Sequence, residues 1–255
     1  MLEVKDLRKQ FGGITAINEI SFTLPENGIL GVIGPNGAGK TTLFNLLTGI
    51  YKPDSGKILF ENKDISSLNS TSIARMGIAR TYQLIRLFKS LSVLENVMLG
   101  AQLANESKIP QMMFQTKAHK ENERKIKENA IEILKGVGLY EHRDRLSGAL
   151  SYGQQRRLEI ARALAMKPKI LLLDEPAAGM NGKEIEDLRE FLMNLSKTDN
   201  VRIIIIEHNV RMIMKISSRV IVLNFGEKIA EGTPIEIQRN QQVIEAYIGK
   251  EKKNA

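Results

Sequence analysis

The segment GPNGAGKTT, Gly34 to Thr42, follows a short apolar run, GILGVIG, and precedes TTLFNLLTGI, whose apolar residues recur at helical spacing until Gly49. That order, strand then glycine-rich loop then helix, leaves few folds open. Two further units repeat the strand-to-helix step. PKILLLDEP (Pro168 to Pro176) runs into NGKEIEDLREFLMNLSK, and VRIIIIEHN runs into VRMIMKIS. Unbroken Ile/Leu strands joined by helical crossovers imply a parallel sheet covered on both faces. MLEVKDLRKQF, INEISFTLP, SGKILFENKDI and, near the other end, SRVIVLNFGEKIAEG alternate apolar with polar residues, which predicts antiparallel strands along one flank.

Between about Ser90 and Lys167 the strand signal stops. SVLENVMLGAQLA, NERKIKENAIEILKGVGL and YGQQRRLEIARALAM all carry helical periodicity. The expected organisation is therefore an α/β core of residues 1–89 and 168–255, with an inserted helical subdomain at 90–167. Residues 105–120, with Pro110 and the Met-rich QMMFQ, read either as a mobile loop or as an extra helix. At 255 residues and 42% apolar the chain buries a full core. Its longest dense apolar run, IIII, is far short of the roughly 20 residues a membrane helix requires, so a soluble chain is expected. Cysteine is absent, which excludes thiol and disulfide chemistry and agrees with a cytosolic setting. The net charge of +8 is spread among acids, as in KAHKENERKIKE, and reads as a solvated surface rather than a nucleic-acid footprint.

Gly34 to Thr41 matches G-x-x-x-x-G-K-[ST] between a strand and a helix, the context that makes a phosphate site of the pattern. The nucleotide-binding residues are then Gly34, Pro35, Asn36, Gly37, Ala38, Gly39, Lys40, Thr41 and Thr42. The glycines let the backbone wrap phosphates, Lys40 reaches the terminal oxygens, and the Thr41 hydroxyl suits Mg²⁺. The apolar strand ILLLDE delivers Asp174 and Glu175 at its C-terminal end, where ligands sit in open α/β sheets. Asp174 suits Mg²⁺, and Glu175 is placed to polarise an attacking water. A second anion-friendly segment, LSYGQQRR (Leu150 to Arg157), opens a helix with Ser and Gly. Alone it reads more often as an ordinary helix cap.

Taken in order, the phosphate loop, TYQ, LSYGQQ, ILLLDEP and IIIIEHN resemble the ATP-binding subunit of an ABC transporter over nearly the whole chain. The resemblance implies a P-loop ATPase fold: a mostly parallel sheet, an antiparallel β flank and an inserted α-helical subdomain. It implies ATP and Mg²⁺ as ligands and a head-to-tail dimer. In that dimer the signature residues Leu150, Ser151, Tyr152, Gly153 and Gln154 touch the ATP held by the other chain. It also assigns Phe11 to adenine stacking, where the bare sequence leaves a core role open. Gln83 is assigned to Mg²⁺ or water and to the turn facing the membrane subunits. His208 is assigned to the γ-phosphate. Glu175, His208 and Gln83 are thus the expected catalytic set, and Thr41, Gln83 and Asp174 the metal set.

Two positions depart from the general pattern. Tyr152 stands where the signature has Gly, and Asn181 in EPAAGMN where most members have an Asp that bridges the two subunits. Both, with RTYQLIRLFKSLSVLENVMLGAQ and the C-terminal GTPIEIQRNQQVIEAYIG, resemble the subgroup serving branched-chain amino-acid importers. Permease subunits, a second ATPase chain, identical or related, and indirectly a solute-binding protein are the implied partners, with the chain at the cytoplasmic face of the membrane and no nucleic acid. An ABC ATPase for another cargo, such as lipopolysaccharide, shares the ATP motifs. A soluble ABC protein of translation or repair would usually carry two phosphate loops or a long coiled coil, and neither is visible in this sequence.

Overall fold

The computed structural model describes residues 1–104, 117–198 and 201–248. Its strands are β1 (Leu2–Phe11), β2 (Ile14–Thr23), β3 (Ile29–Ile33), β4 (Ser55–Phe60), β5 (Lys63–Asp64), β6 (Ile78–Arg80), β7 (Ile170–Asp174), β8 (Arg202–Ile206), β9 (Arg219–Asn224) and β10 (Glu227–Gly232). The helices are α1 (Lys40–Leu47), α2 (Ser70–Arg75), α3 (Val93–Ala104), α4 (Lys117–Gly136), α5 (Tyr152–Leu164), α6 (Gly182–Thr198), α7 (Val210–Ile216), α8 (Pro234–Arg239) and α9 (Gln241–Ile248).

The strands form a four-stranded antiparallel sheet ordered β2-β1-β4-β5 and a six-stranded sheet ordered β10-β9-β3-β8-β7-β6. Strand β8 explains the unbroken isoleucines. Ile204 and Ile206 enter the core between the two sheets, with Leu7, Ile17, Phe44 and Phe60. Ile203 and Ile205 point the other way, toward α6 and α7. A strand buried on both faces has no place for a polar residue, and each buried isoleucine contributes about 1.5–3 kcal/mol. Helix α1 is held in the first of these cores by Leu43, Phe44, Leu46 and Leu47.

Strand β9 differs from the flanking role expected of it. It lies parallel to β3 inside the large sheet, and only β10 turns back antiparallel at the edge. Val220 to Leu223 are all buried, so VIVL is a two-sided core run, and its polar ends gave a false impression of alternation.

Helices α3, α4 and α5 enclose a core of their own, with Val93, Val97, Ala101, Ile126, Ala130, Leu134, Leu158 and Ala161. Spacings of four residues on α3 and α4 put these side chains on one face of each helix. Gly100 allows α3 to approach α5, since a Cβ there would lie 2.3 Å from the Arg162 carbonyl oxygen. The buried Asn96 amide donates to the carbonyls of Phe88 and Ser92 and to the Ser147 hydroxyl, stitching the preceding loop to the start of this unit. Of the stretch 105–120, residues 105–116 lie outside the described residues, and 117–120 belong to α4. Among the described residues no helix is long and apolar enough to cross a membrane.

Candidate nucleotide site

The loop after β3 is bent by residues that accept no side chain. Gly34 sits at φ 154°, and a Cβ on it would lie 2.1 Å from the Leu223 carbonyl oxygen of β9. Gly39, the N-cap of α1, sits at φ 99°, where a Cβ would lie 2.5 Å from the Ala16 carbonyl oxygen. The turn between β9 and β10 braces this loop from outside. Gly226 N–H donates to Ala38 O (3.1 Å), and Asn18 N–H donates to Gly226 O (2.8 Å). Lys40 is buried and folds back along the loop, its Nζ donating to the carbonyls of Gly34 (2.7 Å) and Pro35 (2.9 Å). No side chain caps the N-terminus of α1.

In front of the loop lies an open cavity of about 580 Å³. Its wall brings together Asn36, Gly37, Ala38, Gly39, Lys40, Thr41 and Thr42 with Gln83, Glu175 and His208. The last three meet on one carboxylate. His208 Nε2 lies 2.9 Å from Glu175 Oε1, and the Gln83 amide donates to Glu175 Oε2 at 3.3 Å. Glu175 itself follows β7 with φ 50°, an unfavourable left-handed backbone for a side-chain-bearing residue, and its N–H is tied to the Ile206 carbonyl at 2.9 Å. A bond to β8 thus ties down the Glu175 backbone in a conformation that a side-chain-bearing residue seldom adopts.

Three features of the site were not legible in the motifs. Arg80, on β6, donates to Asp174 Oδ2 at 2.8 Å and to Asn45 Oδ1 at 2.7 Å, linking the end of β7 to α1. Glu207, buried beside His208, accepts the Ala177 N–H at 2.6 Å and the His208 N–H at 3.1 Å, so it fixes the loops bearing both Glu175 and His208. Burial pushes its carboxyl above the ordinary range, against the pull of those N–H donors. The third feature is the opposite lip of the cavity: Ile14, Thr15, Ala16 and Phe225 line it, whereas Phe11 does not. Phe11 is 41% exposed and stands edge-to-face against Tyr51, with ring centroids 5.0 Å apart. The available signals were an arginine inside an apolar edge strand, a glutamate closing a run of isoleucines, and the exposed aromatic in NFG.

The signature residues Leu150, Ser151, Tyr152, Gly153 and Gln154 do not line this cavity. Ser151 caps α5 in a reciprocal box: its Oγ accepts Gln154 N–H (3.3 Å), and Gln154 Oε1 accepts Ser151 N–H (3.1 Å). The two departures from the general pattern pack into one cluster. The Tyr152 ring covers Gly179, and Asn181 makes a second capping box with Glu184, whose carboxylate lies over Gly153.

A family model described as ABC transporter matches residues 17–178, and one described as branched-chain amino acid ATP-binding cassette transporter matches residues 227–253. The chain is 43% identical over 249 residues, 98% of each chain, to the high-affinity branched-chain amino acid transport ATP-binding protein BraF of Pseudomonas aeruginosa. The solved ADP conformation of MJ1267, an ATP-binding cassette of an ABC transporter, superposes with a TM-score of 0.85 at 32% identity, covering 98% of each chain. The dimeric structure of MJ0796, a bacterial ABC transporter cassette, superposes with a TM-score of 0.78 at 26% identity, covering 92% of this chain and 99% of that one.

Proposed function

The chain belongs to the ATP-binding cassettes of ABC transporters, and on that premise we propose that it binds and hydrolyses ATP to power the uptake of branched-chain amino acids. The observation that carries the chemistry is the Glu175 carboxylate, held by His208 and Gln83 across the cavity from the Gly39–Lys40 loop. The loop's N–H groups and Lys40 receive the β- and γ-phosphates. Glu175 takes a proton from the attacking water as the water oxygen bonds to the γ-phosphorus and the bond to the ADP oxygen breaks. His208 orients that carboxylate and, by exchanging this bond when ATP binds, donates to the γ-phosphate. Thr41 and Gln83, which line the cavity, and Asp174, which is buried behind it, would supply an all-oxygen donor set suited to Mg²⁺, and the ion would neutralise phosphate charge. Asp174 enters that set with one oxygen already engaged by Arg80.

Because the signature does not line its own chain's cavity, it is available to a second chain, as expected of a head-to-tail dimer enclosing two ATP molecules. ATP binding then closes the dimer and release of phosphate reopens it, a cycle that permease subunits convert into alternating access at the cytoplasmic face. The division into a core (1–89 and 168–255) and a helical insert (90–167) suits that cycle, since the insert carries the signature. The match of the segment 227–253 to a branched-chain transporter model, with 43% identity to BraF along the chain, favours this cargo over lipopolysaccharide.

The decisive variant is Glu175→Gln. We expect ATP binding to be retained, turnover to fall about a thousandfold, and ATP-loaded dimers to accumulate in light scattering. Hydrolysis near the wild-type rate would overturn the assignment of the base. Mild-detergent purification from native membranes tests the assembly: two polytopic permeases and a second ATPase are expected, and recovery with ribosomes alone would overturn the transporter.

A further inference from the structure

Helix α5 carries a side chain that this scheme does not use. Arg156 is wholly buried, at 0% exposure, although a lone guanidinium in a protein interior is costly. Its charge is answered within its own turn by Glu159, whose Oε2 lies 2.8 Å from Arg156 Nη1 and which is itself 2% exposed. Apart from a 3.4 Å bond from Arg156 Nη2 to the Tyr152 hydroxyl on the same helix, the pair's remaining bonds converge on one distant segment. Arg156 Nη1 donates to the Tyr82 carbonyl at 2.5 Å and Nη2 to the Gln83 carbonyl at 2.7 Å. Glu159 Oε1 accepts the N–H groups of Tyr82 and Arg86, each at 3.5 Å. One ion pair therefore grips both donors and acceptors of the backbone around Gln83. From that same residue the side-chain amide reaches Glu175.

A buried apolar pair of equal volume would pack α5 as well or better, since breaking even against desolvation is the usual best that such ion pairs achieve. What an apolar pair does not supply is a fork of planar donors that fixes two successive carbonyls. We propose that Arg156, braced by Glu159, is a positioning residue for hydrolysis: it holds the Gln83 backbone so that the Gln83 amide stays on Glu175. This rests on the roles given above to Gln83 and Glu175. It also gives α5 two tasks, since the helix presents Ser151 to one nucleotide at its N-terminus and aligns the hydrolytic groups of the other from its interior.

The test is a double-mutant cycle in the full-length chain with Arg156→Lys and Gln83→Ala, measuring kcat at saturating MgATP and ATP affinity by equilibrium dialysis. Lysine keeps the charge but not the fork. Arg156→Lys is expected to lower kcat about tenfold with ATP affinity within about twofold, and to have no further effect once Gln83 is Ala. Glu159→Gln, a gentler change that keeps shape, is expected to give a smaller loss with the same non-additivity. A role in stability alone would lower the melting temperature and leave kcat per folded chain untouched. Equal losses with and without the Gln83 side chain, or a loss confined to ATP affinity, would overturn the proposal while leaving the site intact. Wild-type turnover in Gln83→Ala would remove the site assignment and the proposal together.

Discussion

Two helices of this chain begin with residues suited to an anion, and they begin in opposite ways. Helix α1 starts at Gly39 in a left-handed conformation with no side chain capping it, and Gly39 to Thr42 line the cavity. Helix α5 starts at Ser151 in an extended conformation, with Ser151 and Gln154 satisfying each other's N–H groups. The first is left open by glycines that close approaches of backbone require; the second is closed on itself and exposed. The contrast shows why motif similarity alone does not define a phosphate site. What matters is whether the terminal donors already have partners. In the proposed dimer α1 works as built, whereas Ser151 exchanges an intrachain bond for the partner's nucleotide.

The largest effect that would sharpen this contrast is expected from Lys40→Ala. Lys40 Nζ spans the Gly34 and Pro35 carbonyls, so its loss removes both the loop's internal tie and its cation. Turnover should fall at least about a thousandfold and ATP affinity at least about tenfold, as read by a coupled phosphate assay and by equilibrium dialysis. Ser151→Arg should come second and differ in kind. Hydrolysis should fall about a hundredfold while the single chain binds ATP within about twofold of wild type, because the damage lies in the site of the neighbouring chain. If Ser151→Arg weakened binding to its own chain as Lys40→Ala does, the open and closed ends would be serving one site, and the distinction drawn between them would be wrong.

The parts of this site that were legible in the sequence are those whose constraint is local. Gly34 and Gly39 announce themselves because φ values of 154° and 99° and contacts under 2.6 Å leave no room for a side chain. The ends of β7 and β8 were readable because the leucine run stops at Asp174 and Glu175 and the isoleucine run stops at Glu207, one residue before His208. What was missed is pairing at a distance. Arg80 meets Asp174 across 94 residues, and Arg156 meets Gln83 across 73. No periodicity reports such a pair, since each arginine alone resembles a surface charge. Glu207 was hidden differently: its importance lies in the Ala177 and His208 N–H groups it accepts, and only the fold places those loops around it. The cavity lip was hidden because Phe225 comes from the turn between β9 and β10, and β9 reaches the loop only by joining β3 in the parallel sheet.

The smallest expected effect tests the closed end itself. Gln154→Ala removes the acceptor for Ser151 N–H, while Ser151 Oγ keeps its own bond to the backbone at position 154. The orphaned N–H belongs to an exposed residue, so water replaces the lost partner and the cost should be about 0.5–1 kcal/mol. The same substitution also gives up the contact of Gln154 Nε2 with His142 Nε2 at 2.9 Å, an interaction that is half-buried. For a domain of this size the combined loss should lower the melting temperature by about 2–4 °C by calorimetry. Turnover should change by less than about threefold, because the Ser151 hydroxyl proposed to meet the neighbouring nucleotide is still present. A fall in turnover as large as that of Ser151→Arg would mean that Gln154, and not the serine, presents α5 to the second ATP. The box would then have to be read as one half of the binding site rather than as the structure that waits for it.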